Sequence, residues 1–303
     1  MKHIYESQQF TVPRIMELFE RTPLMKRIVA RGGTQDYHTK ILATLFYNSS
    51  TRTRFSFESA MLRLGGKILS TEHAREFSSE VKGELLEDTI RIISNYCDCI
   101  VLRHFEEGGA KRAAAVSPVS IINAGDGSGG QHPTQALLDL FTIYNECKIL
   151  NGLSVAMIGA LDLGRTVRSL AYLLSKFERV KLYFIAPAEL QIKSDILQHL
   201  DEKRVSYELS DSLEEVISKV DVVYQTRIDR ERLSNYHLDL SRFNIDQSVL
   251  GKMKTDSVIM HPLPRSVELS SAIDSDPRAA YFRQAQNGLF VRMALLTMIF
   301  DEE

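Results

Sequence analysis

The sequence predicts an α/β protein of two domains, each a parallel sheet flanked by helices, with an active-site cleft between them. Three observations predict it. At 303 residues the chain exceeds one typical domain, and its 44% hydrophobic fraction is enough for two cores. Short β-branched and apolar runs alternate with amphipathic stretches, as in parallel sheets covered on both sides. The alternation comes as two series, joined by a long helical pattern after His132.

In the first series, residues 40–47 (KILATLFY) read as a strand. From Phe55 the pattern turns helical, with Phe57, Met61 and Leu64 at i, i+4, i+7 and Gly65-Gly66 as a stop. Residues 67–71 (KILST) are strand-like again. Residues 82–96 are helical, with Leu86, Ile90 and Ile93 on one stripe, and 97–103 (CDCIVLR) form a strand with Cys97 and Cys99 on one face. After a turn-rich stretch comes 119–125 (VSIINAG), then a glycine-rich loop, 125–131. That loop leads to the joining helix, where Pro133 suits the first helical position and Leu137, Leu138, Phe141 and Tyr144 make the buried stripe.

The second series opens with the strand 153–160 (LSVAMIGA), a glycine turn, and a helix with Leu170, Leu173, Leu174 and Phe177 on one face. Strand patterns at 181–187, 206–209, 221–227 and 257–264 follow, with helical stretches among them. The last helix, 287–300, is apolar on more than one side and is expected to pack back on the first domain. The expected boundaries are 1–133 joined by the C-terminal helix 288–303, and 134–287.

Composition narrows the function. A net charge of −2 lacks the basic footprint of a nucleic-acid protein. No apolar run is long enough to span a bilayer, and MKHIYESQQF lacks the apolar region of a signal peptide, so a cytoplasmic location is expected. Cys97, Cys99 and Cys147 form no zinc pattern and read as buried reduced thiols. Residues 159–166 (GALDLGRT) sit where a dinucleotide loop would, yet lack G-x-G-x-x-G and a ribose-binding acid. With no Walker lysine and no H-E-x-x-H either, no metal or organic cofactor is expected.

What the chain does carry is anion-binding capacity. In 47–60 (YNSSTRTRFSFESA), Ser50, Thr51, Arg52, Thr53 and Arg54 supply hydroxyls, guanidiniums and backbone N–H groups at or near a helix start. There the unpaired N–H groups and the positive end of the dipole favour an anion, and Arg52 offers a bidentate fork to phosphate. An ordinary N-cap with surface arginines would read the same way. Further polar groups gather at strand ends, where open α/β sheets place ligands. Arg103 and Arg227 each end a strand pattern, and His132 precedes a helix with Gln135 in its first turn. At 261–265 (HPLPR), two prolines hold backbone carbonyls in place. Singly, each reads as a surface salt bridge, a cap or a loop. Together they describe a pocket for a phosphate and a carbonyl, with no nucleophile and no metal.

SSTRTR, HPTQ and HPLPR resemble the transcarbamoylase family, and the resemblance runs through essentially the whole chain. HPLPR is similar to the aspartate branch, because the ornithine branch usually has cysteine in place of the first proline. AREFSSEVKGE resembles plant and some bacterial catalytic chains. The resemblance implies transfer of the carbamoyl group of carbamoyl phosphate to an amino acid, aspartate first, with the first domain binding carbamoyl phosphate and the second the amino acid. It implies that Ser50, Thr51, Arg52 and Thr53 bind the phosphate, and that Thr53, Arg103 and His132 polarise the carbamoyl oxygen. Gln135 and the carbonyls of Leu263 and Pro264 would hold the carbamoyl NH2. Arg165 and Arg227 would bind the carboxylates of aspartate. Ser78 and Lys82 match residues that the family inserts into a neighbouring subunit's site, which implies a homotrimer; no regulatory subunit is evident.

Three positions depart from the aspartate pattern, all on the acceptor side. Asn48 stands where an acid precedes STRTR, Ala160 replaces the Asp of G-D-L-x-x-G-R-T, and Asp229 replaces the Gln of T-R-x-Q. An ionised Asp229 only accepts hydrogen bonds and would repel a substrate carboxylate, unless it pairs with Arg227 or Arg165 and restores the charge missing at Ala160. The departures raise an alternative: a different amine acceptor, or a weakly active binding homologue.

Overall fold

The computed structural model describes residues 2–72, 83–227 and 240–302. Ser78, Lys82 and Asp229 lie outside the described residues. The chain divides into two units, residues 1–138 with 287–303, and residues 139–286. The divisions fall inside the helices Pro133–Cys147 and Tyr281–Phe300.

The first unit is built on strands β1 (Ile41–Phe46), β2 (Lys67–Glu72), β3 (Cys99–Arg103) and β4 (Ser120–Asn123). They form one parallel sheet in the order β2-β1-β3-β4. Leu42 to Phe46 are all buried, as expected of a central strand covered on both faces. Helices α1 (Val12–Ala30), α2 (Thr51–Arg63), α3 (Leu86–Ile93) and α4 (Gly109–Val116) belong to this unit. Ala43 and Leu45 from β1, Tyr47 just past it, Ile100 and Leu102 from β3, and Leu86 and Ile90 from α3 share one core. Arg292, on the C-terminal helix and 4% exposed, donates to Ser56 Oγ on α2 at 2.7 Å and lies over the Phe57 ring.

Two helices escape the sequence reading. Val12–Ala30 carries prolines at positions 13 and 23, which break up its period, and Gly109–Val116 lies in the stretch read as turns. The strand expected at 97–103 begins only at Cys99; Cys97 precedes it and is buried.

The second unit holds β5 (Ser154–Ile158), β6 (Lys181–Ile185), β7 (Ser206–Ser210), β8 (Val222–Gln225) and β9 (Val258–Met260). They form a parallel sheet in the order β7-β6-β5-β8-β9. The joining helix is α5 (Pro133–Cys147), and Pro133 does open it. After it come α6 (Arg165–Leu174), α7 (Ser194–Glu202), the short α8 (Glu214–Ile217) and α9 (Gln247–Leu250), and finally α10 (Tyr281–Phe300). Both sheets thus show the parallel α/β architecture that the alternating pattern predicts.

A buried polar chain braces this second sheet. Asp139 on α5 is fully buried and accepts from the Tyr224 hydroxyl at 2.7 Å and from Gln284 Nε2 at 2.6 Å. Gln284 Oε1 in turn accepts from the His261 amide at 2.9 Å, just past β9. Burial and the Asp139 carboxylate push the Tyr224 phenol well above its usual value, so it remains a donor. Asp139→Ala strands two buried donors and is expected to destabilise by about 3 kcal/mol. Thermal unfolding checks this: a loss of roughly 5–10 °C is expected, and an unchanged midpoint would contradict the bracing role.

Candidate active site

Each sheet reverses its strand order at one point. In the first sheet the reversal lies between β1 and β3, with Phe46 paired to Arg103. In the second it lies between β5 and β8, with Ile158 paired to Gln225. Strands leaving in opposite lateral directions open a crevice beyond their carboxyl ends, where such sheets bind ligands.

In the first unit, α2 begins at Thr51, four residues before the helical pattern is legible in the sequence. Thr51, Arg52 and Thr53 therefore form its first turn, and Ser50 is the N-cap. The Ser50 side chain makes no capping bond, so the ordinary-cap reading does not account for it. The two arginines differ sharply. Arg54 Nη2 pairs with Glu72 Oε2 on β2 at 2.9 Å, with Glu58 at 4.0 Å, and lies over the Phe55 ring. Arg52 is exposed and has no hydrogen-bond or ion-pair partner among the described residues. Partial burial lowers its pKa, with no carboxylate to offset the effect. Among the described residues, the guanidinium at this helix start that no carboxylate engages is that of Arg52, a distinction the sequence leaves open.

Arg103 ends β3, half-buried, with Nη1 donating to the Ala124 carbonyl at 3.1 Å. Its own carbonyl accepts the Tyr47 amide at 2.9 Å, tying it to the loop that leads to Ser50. The loop after β4 is organised by Asp126, 5% exposed. Its Oδ1 accepts from the Gln131 amide at 2.8 Å and its Oδ2 from the Gly108 amide at 3.0 Å. Gly127 is needed there, because a Cβ would come within 2.4 Å of the Glu107 nitrogen. This packing delivers His132, 4% exposed, to the start of α5, where its carbonyl accepts the Gln135 amide at 3.0 Å. Cradle, Arg103, His132 and Gln135 thus all follow the carboxyl ends of β1, β3 and β4.

In the second unit, β8 stops at Gln225, so Arg227 lies two residues past the strand and is exposed. The Thr226 amide and hydroxyl both donate to the Ile158 carbonyl at 2.8 Å, closing β8 onto β5. Gly159 follows with φ 123°, and a Cβ there would sit 2.5 Å from Thr226 Oγ1. Only glycine fits that crossing. Ala160 is buried just after it, and Arg165 is the first residue of α6, on the same side of the switch point. Leu263 and Pro264 follow β9; Leu263 has φ 51° and the peptide between them is cis. Asn48 is exposed in the loop before the cradle.

Sequence reasoning missed two supporting groups: Asp126, and Glu268, which is fully buried beside His261. An acid within a glycine-rich loop and an acid beyond HPLPR carry no local signal of burial. Among the described residues no group of three His, Cys, Asp or Glu side chains is placed to hold a metal ion. The chemistry available is that of fixed cations and hydrogen-bond donors: anion binding and carbonyl polarisation at the first sheet, carboxylate binding at the second.

Comparison with known proteins supplies the reaction. Residues 2–145 match the aspartate/ornithine carbamoyltransferase carbamoyl-P binding domain, and 151–299 match the Asp/Orn binding domain. The chain is 52% identical to the chloroplastic aspartate carbamoyltransferase of Arabidopsis thaliana, over 99% of this chain and 78% of the relative. Among solved structures, it resembles the catalytic subunit of M. jannaschii aspartate transcarbamoylase with a TM-score of 0.92 and 43% identity, covering 100% and 99% of the two chains. It also resembles the Trypanosoma cruzi aspartate transcarbamoylase in complex with N-(phosphonacetyl)-L-aspartic acid, with a TM-score of 0.91 and 40% identity over 97% and 94%.

Proposed function

The chain belongs to the aspartate/ornithine carbamoyltransferase family, and from that premise we propose how its residues carry out the reaction. It is a carbamoyltransferase of pyrimidine biosynthesis: it transfers the carbamoyl group of carbamoyl phosphate to the amino group of L-aspartate, giving N-carbamoyl-L-aspartate and phosphate. The alternative raised by Asn48, Ala160 and Asp229, a different acceptor or a weak homologue, does not hold against relatives of this coverage.

Ser50, Thr51, Arg52 and Thr53 hold the phosphate on the first turn of α2. Thr53, Arg103 and His132 donate to the carbamoyl oxygen, where negative charge grows as the neutral amine attacks. Gln135 and the carbonyls of Leu263 and Pro264 hold the carbamoyl NH2. Arg165 and Arg227 take the carboxylates of aspartate, with Asp229 two residues past Arg227. Prepositioned donors at the developing oxyanion are the main electrostatic device, and each is worth roughly 3–4 kcal/mol when removed. Holding both substrates adds an orientation term. Phosphate leaves against Arg52. The observation that supports this reading most is Arg52, without a partner among the described residues, at a helix start beside the β1/β3 switch point.

The assembly is a homotrimer in which Ser78 and Lys82 complete a neighbour's site; the match of AREFSSEVKGE to the family's shared segment supports it. A cytoplasmic location is part of this reading, and because the Arabidopsis relative is chloroplastic, cell fractionation decides it.

Phosphate release from carbamoyl phosphate, measured across a panel of amines, tests the proposal. Aspartate is expected to be preferred, and release without any amine preference would overturn it. The acceptor departures make a second prediction. Ala160→Asp combined with Asp229→Gln is expected to lower the KM for aspartate at least tenfold, since like charges 4 Å apart cost about 4 kcal/mol at an effective dielectric of 20, a factor of roughly 10³ before solvent screening. Efficient aspartate use by the unaltered enzyme, with no gain from the pair, would refute it.

A further inference from the structure

The segment after β9 is held by a buried dyad to which none of the roles above extends. His261 is 1% exposed and Glu268 is fully buried. The Leu263 amide donates to His261 Nδ1 at 2.8 Å, so that nitrogen carries no proton. The ring proton therefore sits on Nε2, which donates to Glu268 Oε1 at 3.0 Å. The same Oε1 accepts from the Ser266 amide at 2.8 Å. One ring and one carboxylate thus grip the backbone at both ends of residues 263–266. The His261 amide ties the dyad to Gln284 and, through it, to Asp139.

Two features set this dyad apart from ordinary packing. Leu263 holds φ 51°, a left-handed conformation that leucine keeps only where its surroundings impose it. Glu268 Oε2 is buried and accepts no hydrogen bond among the described residues. A half-satisfied buried carboxylate is a poor stabiliser, and an apolar side chain would cost less there. Burial pushes its carboxyl up, but the bonds from His261 and Ser266 outweigh that and bring it below the usual range, so it stays an acceptor.

We infer that His261 and Glu268 are positioning residues that aim the carbonyls of Leu263 and Pro264 at the carbamoyl NH2, and so set the preference for carbamoyl over acyl phosphates. The inference rests on the reading that these two carbonyls hold that NH2. An acyl phosphate such as acetyl phosphate puts a methyl group of similar size in the same place. Two fixed carbonyls facing a methyl lose their partners, and sites built to bond an N–H or O–H reject analogues that lack it.

The experiment compares the full-length enzyme with Glu268→Ala, His261→Phe and Glu268→Gln. It measures the dissociation constant of carbamoyl phosphate, the inhibition constant of acetyl phosphate, and thermal stability. The wild type is expected to prefer carbamoyl phosphate. Glu268→Ala and His261→Phe should narrow that preference about tenfold, the scale of one hydrogen bond. Glu268→Gln keeps an acceptor for both donors and should retain the preference. A wild type that does not discriminate would overturn the role of the Leu263 and Pro264 carbonyls themselves. A discriminating wild type with folded Ala and Phe variants that keep the ratio, whatever their stability, would overturn the positioning role alone. Loss of the ratio in Glu268→Gln would also overturn it, as would failure of both other variants to fold, which would assign the dyad to folding.

Discussion

Arg52→Ala is expected to lower kcat by about a thousandfold while leaving the protein folded. The side chain is exposed and has no partner among the described residues, so its removal breaks no native contact there. Surface changes of that kind usually alter stability by less than about 0.5 kcal/mol. Its effect on catalysis is of another order. In the proposed role, phosphate departs as a highly charged group, and a guanidinium fork at a helix start can meet it with two charge-assisted bonds plus the dipole. Removing one such donor costs roughly 10²–10³ in rate where charge develops, and here substrate binding suffers as well. Steady-state kinetics at saturating carbamoyl phosphate, alongside a thermal melt, decide it. Turnover within a fewfold of wild type would remove Arg52 from the cradle. Arg54 could not serve as its substitute, because Glu72 and Glu58 already engage it.

The second large effect is a gain. Lys82→Ala and Arg52→Ala are each expected to be nearly inactive, and a mixture of the two, dissociated and reassembled, should regain activity. If each site combines Arg52 of one chain with Lys82 of its neighbour, hybrid trimers contain sites with both residues intact. In a cyclic assembly with head-to-tail interfaces, random mixing at equal amounts restores about one site in four. The measurement is activity after reassembly, with hybrids separated by a charge tag. Demonstrated hybrid trimers without activity would mean that each site is made by one chain. This result also tests the homotrimer, since Lys82 lies outside the described residues and its role comes from the motif.

Much of the fold was legible in the sequence because its signals are local. Alternating apolar runs and amphipathic stretches depend on side-chain period, and both sheets follow them, as does the joining helix opened by Pro133. The residues proposed for the anion cradle stand out in the sequence for the same reason: hydroxyls, N–H groups and arginines adjacent in the chain need no tertiary contact to be neighbours. Val12–Ala30 and Gly109–Val116 were not, since prolines blurred the period of one and small residues left the other without an apolar stripe.

The remainder was decided by contacts between residues far apart in the chain. Strand order depends on which buried faces pair, and only that order places Arg103 beside the cradle loop, and Arg165 and Arg227 on either side of the second crevice. Which arginine a carboxylate engages, among the described residues, depends on Glu72, a residue of the neighbouring strand rather than of the motif. His261 and Glu268 look like a loop histidine and a surface acid in the sequence. Burial makes them a dyad, because a carboxylate and an imidazole withdrawn from water must satisfy each other and the nearest amides. Local periodicity thus named the elements, while long-range burial chose the order of the strands, which of the two arginines the described carboxylates engage, and the pairing of His261 with Glu268.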